Sequence, residues 1–436
     1  IDYFGDTDFT RSLFAENFSM DELFWSDYQA VAGKLKSIKV LDPACGSGAF
    51  PMGLLNRVIE ILKRIGTDES GYQLKLNLIE NCIYGVDIQP IATQISKLRF
   101  FISLICDCNP DNTKPNFGIP TLPNLETKFV CANTLIGKKK LQIGDFCGTL
   151  FEDPRIVEIK KELQTTRHQH FKARTANEKI LLRKQDEKQR QKLALLLQEN
   201  EQFAPEDALQ LAAWNPYDQN STSPFFDAEW MFGVSGGFDV VIGNPPYIST
   251  KGVTLEDKQK YEVEFGFSDD TYNLFTFKAI SLLAANGSLT YITPKTFWTT
   301  QTKRNMRDLI LSKTIRYIFD TANPFESAMV DTCITQVVNK PYNANNEILF
   351  LDGSKDLKNP TILPLVKQSV YLNTQNLVIF KPTTQNMKIW NLYGEKVKDL
   401  YNKWWDKIET SKKITQNAVE LQKYRESLKP GDIVLL

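Results

Sequence analysis

Histidine is nearly missing from this sequence. Among 436 residues only His168 and His170 occur, so a histidine-built metal centre, a Ser-His-Asp triad and a Cys-His nucleophile pair are all poorly supplied. The chemistry is expected to need no metal and none of these groups. No run of 18 or more apolar residues occurs, and the start lacks the basic and apolar regions of a signal peptide, so neither a membrane span nor a leader is read. The seven cysteines are odd in number and form no CxxC pair, which argues against a disulfide framework and for a reducing cytoplasm. Nor does one sign of charge dominate: Lys plus Arg and Asp plus Glu both total 52. Bulk charge therefore announces no nucleic-acid partner, while a local basic cleft stays compatible with it.

What is present is an ordinary globular composition, 42% hydrophobic and 24% charged, in a chain long enough for two or more domains. The chain opens at Ile1 rather than Met and stops in Pro430-Gly431-Asp432-Ile433-Val434-Leu435-Leu436, a turn feeding a new strand. A fragment of a longer protein is expected.

Residues 1–37 are a polar, aromatic lead-in whose Phe14, Leu23, Phe24, Trp25 and Tyr28 are suited to packing on the domain behind them. From residue 38 strands and helices alternate: strand 38–41, helix 53–65, strand 82–86, helix 91–106, then strands 128–131 and 238–242. That alternation predicts an α/β fold with a doubly wound, mostly parallel sheet. Residues 154–199 are rich in Lys, Arg, Glu and Gln with Leu and Ile at helical spacing, which predicts a helical hairpin standing off the core. Lys160, Lys161, Arg167, Lys172, Arg174, Arg183 and Lys184 are its candidate phosphate contacts. Residues 248–270 read as a polar loop. A helix over 272–284, a strand over 288–292, a helix over 302–311 and strands over 315–319 and 332–338 follow, the last two an antiparallel finish. The domain boundaries expected are 38–345 for the core, with the helical insert at about 150–213. Residues 346–436 then form a linker and helical extension, amphipathic over 386–428.

The most informative feature is Asn244-Pro245-Pro246-Tyr247, which ends the apolar run Phe238-Asp239-Val240-Val241-Ile242-Gly243. Two prolines cannot donate to a sheet ladder, so the strand stops and a stiff loop displays an amide, a free carbonyl and an aromatic ring. These groups grip a planar, amino-bearing substrate: acceptors for its NH2 hydrogens and a face to stack on. A second feature, Val40-Leu41-Asp42-Pro43-Ala44-Cys45-Gly46-Ser47-Gly48-Ala49-Phe50, joins the first strand to the first helix. Its glycines remove side chains where a ligand or backbone comes close and permit positive φ. It is not the three-glycine dinucleotide fingerprint, although it occupies the same strand-to-helix crevice. Asp87, after the second strand, is where an acidic residue meets ribose hydroxyls, and equally where an aspartate caps a helix.

Together these motifs resemble the paired signature of N6-adenine DNA methyltransferases, in the order of the gamma class. Phe225-Phe226-Asp227-Ala228-Glu229-Trp230-Met231-Phe232-Gly233 further resembles the methyltransferase regions of type IIG restriction-modification enzymes and BREX phage-defence methyltransferases. The resemblance covers about residues 38–340. It implies a class I, Rossmann-like S-adenosylmethionine-dependent methyltransferase fold acting on double-stranded DNA with a flipped adenine. It implies further that the loop Asp42, Pro43, Ala44, Cys45, Gly46, Ser47 and Gly48 holds the methionine part of the cofactor. Phe50 and Ile88 would line its pocket, Asp87 would bind its ribose and Asn133 would contact its adenine. Asn244, Pro245, Pro246 and Tyr247 would be catalytic, with Tyr247 and Phe325 packing on the flipped base. An upstream nuclease and a downstream recognition domain in the same full-length chain are the implied neighbours. Residues 248–270 are a candidate lid. Three other readings stay open: a protein-glutamine methyltransferase, whose planar amide suits the same tetrapeptide, an endonuclease built on Asp111, Glu126 and Lys128, and a DNA-binding scaffold with a dead pocket, against which the intact Asn244 and Asp87 argue.

Overall fold

The computed structural model describes residues 25–66, 69–138, 153–200, 203–325 and 330–392. Helix α1 (Trp25–Leu35) leads into β1 (Val40–Asp42), α2 (Ala49–Arg64), α3 (Gly71–Asn81), β2 (Ile83–Asp87), α4 (Pro90–Ile105) and β3 (Phe129–Cys131). The insert forms α5 (Pro154–Lys172), α6 (Ala176–Glu199) and α7 (Pro205–Ala213), and α8 (Ala228–Phe232) returns the chain to β4 (Phe238–Gly243). Then come α9 (Leu255–Phe265), α10 (Thr271–Leu282), β5 (Leu283–Pro294), α11 (Arg304–Leu311), β6 (Lys313–Ala322) and β7 (Thr332–Pro341). The short strands β8 (Glu347–Asp352), β9 (Thr361–Ile362) and β10 (Val366–Lys367) and helix α12 (Gln368–Leu372) end the described elements, apart from helical residues 384–392.

The sheet runs β10-β8-β6-β7-β5-β4-β1-β2-β3, with β9 on β8. Strands β1 to β5 pair in parallel, whereas β7 lies antiparallel between β5 and β6. This order and polarity is the class I S-adenosylmethionine-dependent methyltransferase fold. All three residues of β1 are buried, as expected of a strand covered on both faces. Successive side chains feed two separate cores. Val40, Ile83 and Phe129 join Leu55, Leu62, Phe100 and Leu104 on one face, while Leu41, Tyr84 and Val130 join Phe226, Trp230 and Met231 on the other. Each such side chain, fully buried, contributes about 1.5–3 kcal/mol of transfer free energy.

Four expectations change. The hairpin α5–α6 does not stand off the core: Ile156, Ile159, Leu163, Leu193 and Leu197 are buried in the same cluster as Leu41 and Val86. Residues 248–270 are not all loop, because Thr254 caps α9 through its side chain and Gly266 closes it at φ 80°. Helix α3 is an element not anticipated from the sequence. The sheet also continues past residue 345, since β8 pairs in parallel with β6. Of the lead-in, Tyr28 is buried with the α2 core, while Phe14, Leu23 and Phe24 lie outside the described residues, as does most of 386–428. No helix among the described residues is long and apolar enough to cross a membrane.

Candidate active site

Parallel pairing brings the C-terminal ends of β1, β2, β3 and β4 to one edge. There the loop after β1 is spliced to the end of β2: Cys45 N donates to the carbonyl of Val86 and Gly46 N to Asp87 Oδ2, both at 2.9 Å. Gln89 N donates to Asp87 Oδ1 at 2.9 Å, so Asp87 shapes the turn but does not cap α4, whose N-cap is Gln89 with no side-chain cap bond, and each of its oxygens keeps a further lone pair. The two glycines differ. Gly46 has φ 54° and open space where a Cβ would point, while Gly48, at φ 75°, would place a Cβ 2.9 Å from Ser96 Oγ. Ser96 Oγ in turn donates to the carbonyl of Gly46 at 2.8 Å. Gly46 thus leaves a cradle and Gly48 lets α2 and α4 close up.

Asp42 sits beneath that loop, 1% exposed. Its Oδ1 accepts from Ala44 N at 3.1 Å, and its Oδ2 is buried with no partner. Burial foremost pushes its carboxyl up to about 8, against the pull of the Ala44 N–H and with help from the Asp87 charge. A Cβ on Gly243 would stand 2.7 Å from Asp42 Oδ1, so the ends of β1 and β4 approach this closely only because residue 243 is glycine. Across from Gly243 in the ladder is Tyr291, whose buried hydroxyl also has no hydrogen-bond partner.

Directly after Gly243 comes the tetrapeptide. Asn244 is half-buried, and its Oδ1 is buried without a hydrogen-bond partner. The carbonyl of Pro246 accepts from Thr271 Oγ1, whereas the carbonyl of Pro245 accepts nothing among the described residues. Ile248 N donates to Thr271 Oγ1 at 3.0 Å and Thr271 N to the Ile248 carbonyl at 2.9 Å, pinning the loop to the start of α10. The Tyr247 hydroxyl donates to the carbonyl of Ile292, and its ring meets Tyr272 edge-on, centroids 6.3 Å apart.

The other expected residues divide. Thr134 Oγ1 donates to the carbonyl of Pro43 at 2.7 Å, tying the β3 end to the loop after β1. Beside it, Asn133 Oδ1 accepts from Leu135 N at 3.2 Å. Phe50 and Ile88 expose 39% and 55% of their surface at this edge. Phe325 follows β6 at the same edge, with β5 and β7 between it and β4, and makes no ring contact with Tyr247. Ser96, Thr134, Thr271 and Tyr272 went unnoticed in the sequence. Only Thr271, one residue into a helix after Asp270, carried a signal, that of a helix start.

The nuclease pattern does not assemble. Asp111 holds Thr113 and Lys114, Glu126 Oε1 meets Arg183 Nη2 at 3.3 Å, and Lys128 Nζ stands 4.5 Å over the Tyr84 ring. Three different sets of neighbours hold the three side chains. Among the described residues no group of three or more His, Cys, Asp or Glu is placed to hold a metal. The candidate phosphate contacts of the hairpin are also largely used internally. Arg167 Nε meets Asp186 Oδ2 at 2.8 Å in the interior, and Lys160 meets Glu229 at 2.6 Å.

Residues 81–326, more than half of the chain and including β2, β4 and the tetrapeptide, match the Eco57I restriction-modification methylase family. The chain belongs to that family. A putative type II restriction enzyme and methyltransferase of Methanocaldococcus jannaschii is 27% identical over 390 residues, 76% of this chain and 32% of that protein. The adenine-specific methyltransferase BrxX of Escherichia coli O9:H4 (strain HS) is 29% identical over 266 residues, 58% of this chain and 21% of the relative. This family member thus spans about a third or less of the length of these relatives. Among solved structures it resembles the ATP-dependent type ISP restriction-modification enzyme LlaBIII bound to DNA, with TM-score 0.39, 14% identity and coverage of 73% of this chain and 18% of that one.

Proposed function

We propose that this chain is the methyltransferase part of a larger restriction-modification or BREX-type protein and moves a methyl group from S-adenosylmethionine to N6 of an adenine flipped out of duplex DNA. The observation that carries the reading is the buried, unpartnered Oδ1 of Asn244 beside the free carbonyl of Pro245. A buried acceptor without a donor costs about 1–3 kcal/mol, a cost recovered when a substrate N–H arrives. Two acceptors together match the two hydrogens of one amino group.

The cofactor fits the groups at the neighbouring strand ends. Asp42 Oδ2, a second unpartnered buried acceptor, suits the ammonium of the methionine part, and the open side of Gly46 gives that part room. Asp87 keeps lone pairs for ribose hydroxyls, Phe50 and Ile88 flank the adenine, and Asn133 offers the lone pair that Leu135 leaves. Bound there, S-adenosylmethionine supplies a methyl group already activated on a sulfonium, so the protein's task is alignment and charge complementarity. Asn244 and Pro245 accept the two N6 hydrogens, which favours a pyramidal nitrogen with its lone pair toward the methyl. Tyr247 stacks on the flipped base, because a base inside a duplex does not reach such a pocket. Phe325 packs on the base from the far side of the cleft.

The test is transfer of labelled methyl to DNA by the full-length protein carrying Asn244→Ala. A fall in kcat of about 10²-fold or more is expected, without a loss of folding stability because Oδ1 has no partner to lose. A variant that methylates DNA at the wild-type rate, or a wild type that labels a protein acceptor and not DNA, would refute the reading.

A further inference from the structure

The opposite edge of the sheet also holds a cavity, of about 370 Å³, between the N-terminal ends of β1, β2 and β3 and the hairpin helix α5. Lys39, Tyr84, Lys128 and Arg167 line it, and Glu80 is the one carboxylate among its lining residues. His168 Nδ1 lies 2.6 Å and Lys172 Nζ 3.4 Å from its two oxygens, although Oε1 makes no aligned hydrogen bond. Lys128 Nζ stands 4.5 Å from the centroid of the Tyr84 ring and has no carboxylate or carbonyl partner among the described residues. Lys39 Nζ reaches the same ring at 5.9 Å and donates only to the carbonyl of Asn81.

Arg167 adds a third cation, ion-paired but with one unsatisfied nitrogen. Its Nε is bound to Asp186 and its Nη1 to the carbonyls of Trp230 and Met231, but its Nη2 is buried with no hydrogen-bond partner. Asp186 is shared with Arg190, so two guanidiniums draw on one carboxylate and a net positive charge remains. Buried donors and unpaired cations of this kind are costly without an anion. Burial foremost, with the Lys39 charge beside it, pulls Lys128 down to about 7. The remaining wall is aromatic, where the Tyr84 and Phe232 rings meet at a tilt of 54° with centroids 5.0 Å apart.

We propose that this cavity binds a small phosphate-bearing molecule, the phosphate held between Lys128, Lys39 and Arg167 Nη2 and the body of the molecule against Tyr84 and Phe232. The cavity lies at the N-terminal ends of β1 to β3 and Asn244 follows the C-terminal end of β4, so this site is distinct from the adenine cleft. Such a site gives the enzyme a second ligand that acts from behind the sheet.

Thermal unfolding at constant ionic strength tests this, with inorganic phosphate, AMP and a short DNA duplex as probes on the wild type, Lys128→Met and Lys39→Gln. A ligand that binds only the folded state raises Tm in proportion to its occupancy. Phosphate is expected to raise the wild-type Tm above a chloride control, AMP to do so at lower concentration, and Lys128→Met to lose both shifts while folding at least as well without anion. Lys39→Gln, which leaves the buried groups in place, is expected to need severalfold more AMP for the same shift. Absence of any shift in the wild type would overturn the proposal, as would equal shifts in all three proteins. A shift given by the duplex alone and lost in Lys128→Met would assign these cations to DNA and overturn it too.

Discussion

The hydroxyl of Tyr247 donates to the main-chain carbonyl of Ile292 at 3.1 Å. This bond ties the aromatic member of the loop to β5, and with Tyr272 against its edge the ring keeps one orientation. Tyr247→Phe removes only the tether, worth about 0.5–1.5 kcal/mol, and is expected to slow methyl transfer by less than ~10-fold. Tyr247→Ala removes the stacking face, about 1–3 kcal/mol for a base, and is expected to raise KM for DNA by about 10-fold or more. Initial rates at varied DNA concentration separate the two, and equal effects would mean that the ring does not stack.

Asp42 makes a pH-dependent prediction. Its carboxyl rises from an ordinary 3.8 to about 8, chiefly by burial. Between these values the folded chain holds a proton that the unfolded chain has released, so this group's contribution to stability falls as pH rises from about 4 to 8. Asp42→Asn removes that titration. Its stability relative to wild type is expected to improve from pH 5 to about pH 8 and then level off in denaturant unfolding, while its affinity for S-adenosylmethionine drops. A difference that stays flat with pH would mean that Asp42 is ionised throughout.

The sequence showed the parallel strands because β1 to β4 are short apolar runs, a pattern that burial on both faces imposes. The motifs marked the site because Gly46 frees the backbone for a positive φ while Pro245 and Pro246 restrict it, wherever they stand. What could not be read was whatever polar side chains do in the interior. The buried face of the hairpin carries Arg167, Asp186 and Arg190, so its pattern looked solvated. Helix α9 buries only Tyr261, so periodicity gave no sign of it. The acceptors without donors, Asn244 Oδ1 and Asp42 Oδ2, became visible only when their surroundings were in place.

Thr271 is a positioning residue. Its hydroxyl donates to the carbonyl of Pro246 and accepts from Ile248 N, which leaves the Pro245 carbonyl as the loop's free acceptor. Thr271→Val keeps the volume but abandons both bonds, and about 1–3 kcal/mol for the stranded groups corresponds to a fall in kcat of about 10–10²-fold with the cofactor's Kd unchanged. Thr271→Ser restores the hydroxyl and should restore kcat. Failure of serine to rescue would place the effect in packing rather than in the loop.

Asp186 decides what the insert is for. Its oxygens take Arg167 Nε at 2.8 Å and Arg190 Nε at 2.7 Å. Burial alone would raise its carboxyl, yet the two guanidiniums hold it below its usual range, so the contribution is present at neutral pH and lost as pH falls through the folded value. Removing one partner of a buried ion pair costs about 3–5 kcal/mol because the remaining charge is stranded. Here two would be stranded. Asp186→Ala is therefore expected to lower Tm by several degrees or more and to loosen the hairpin from α8, whose Trp230 and Met231 carbonyls Arg167 holds, seen as faster hydrogen exchange over residues 154–199 and 228–232. If the hairpin were instead a DNA-binding arm, the same change would spare Tm and alter only the salt dependence of DNA binding, because a contact with phosphate is made outside the fold.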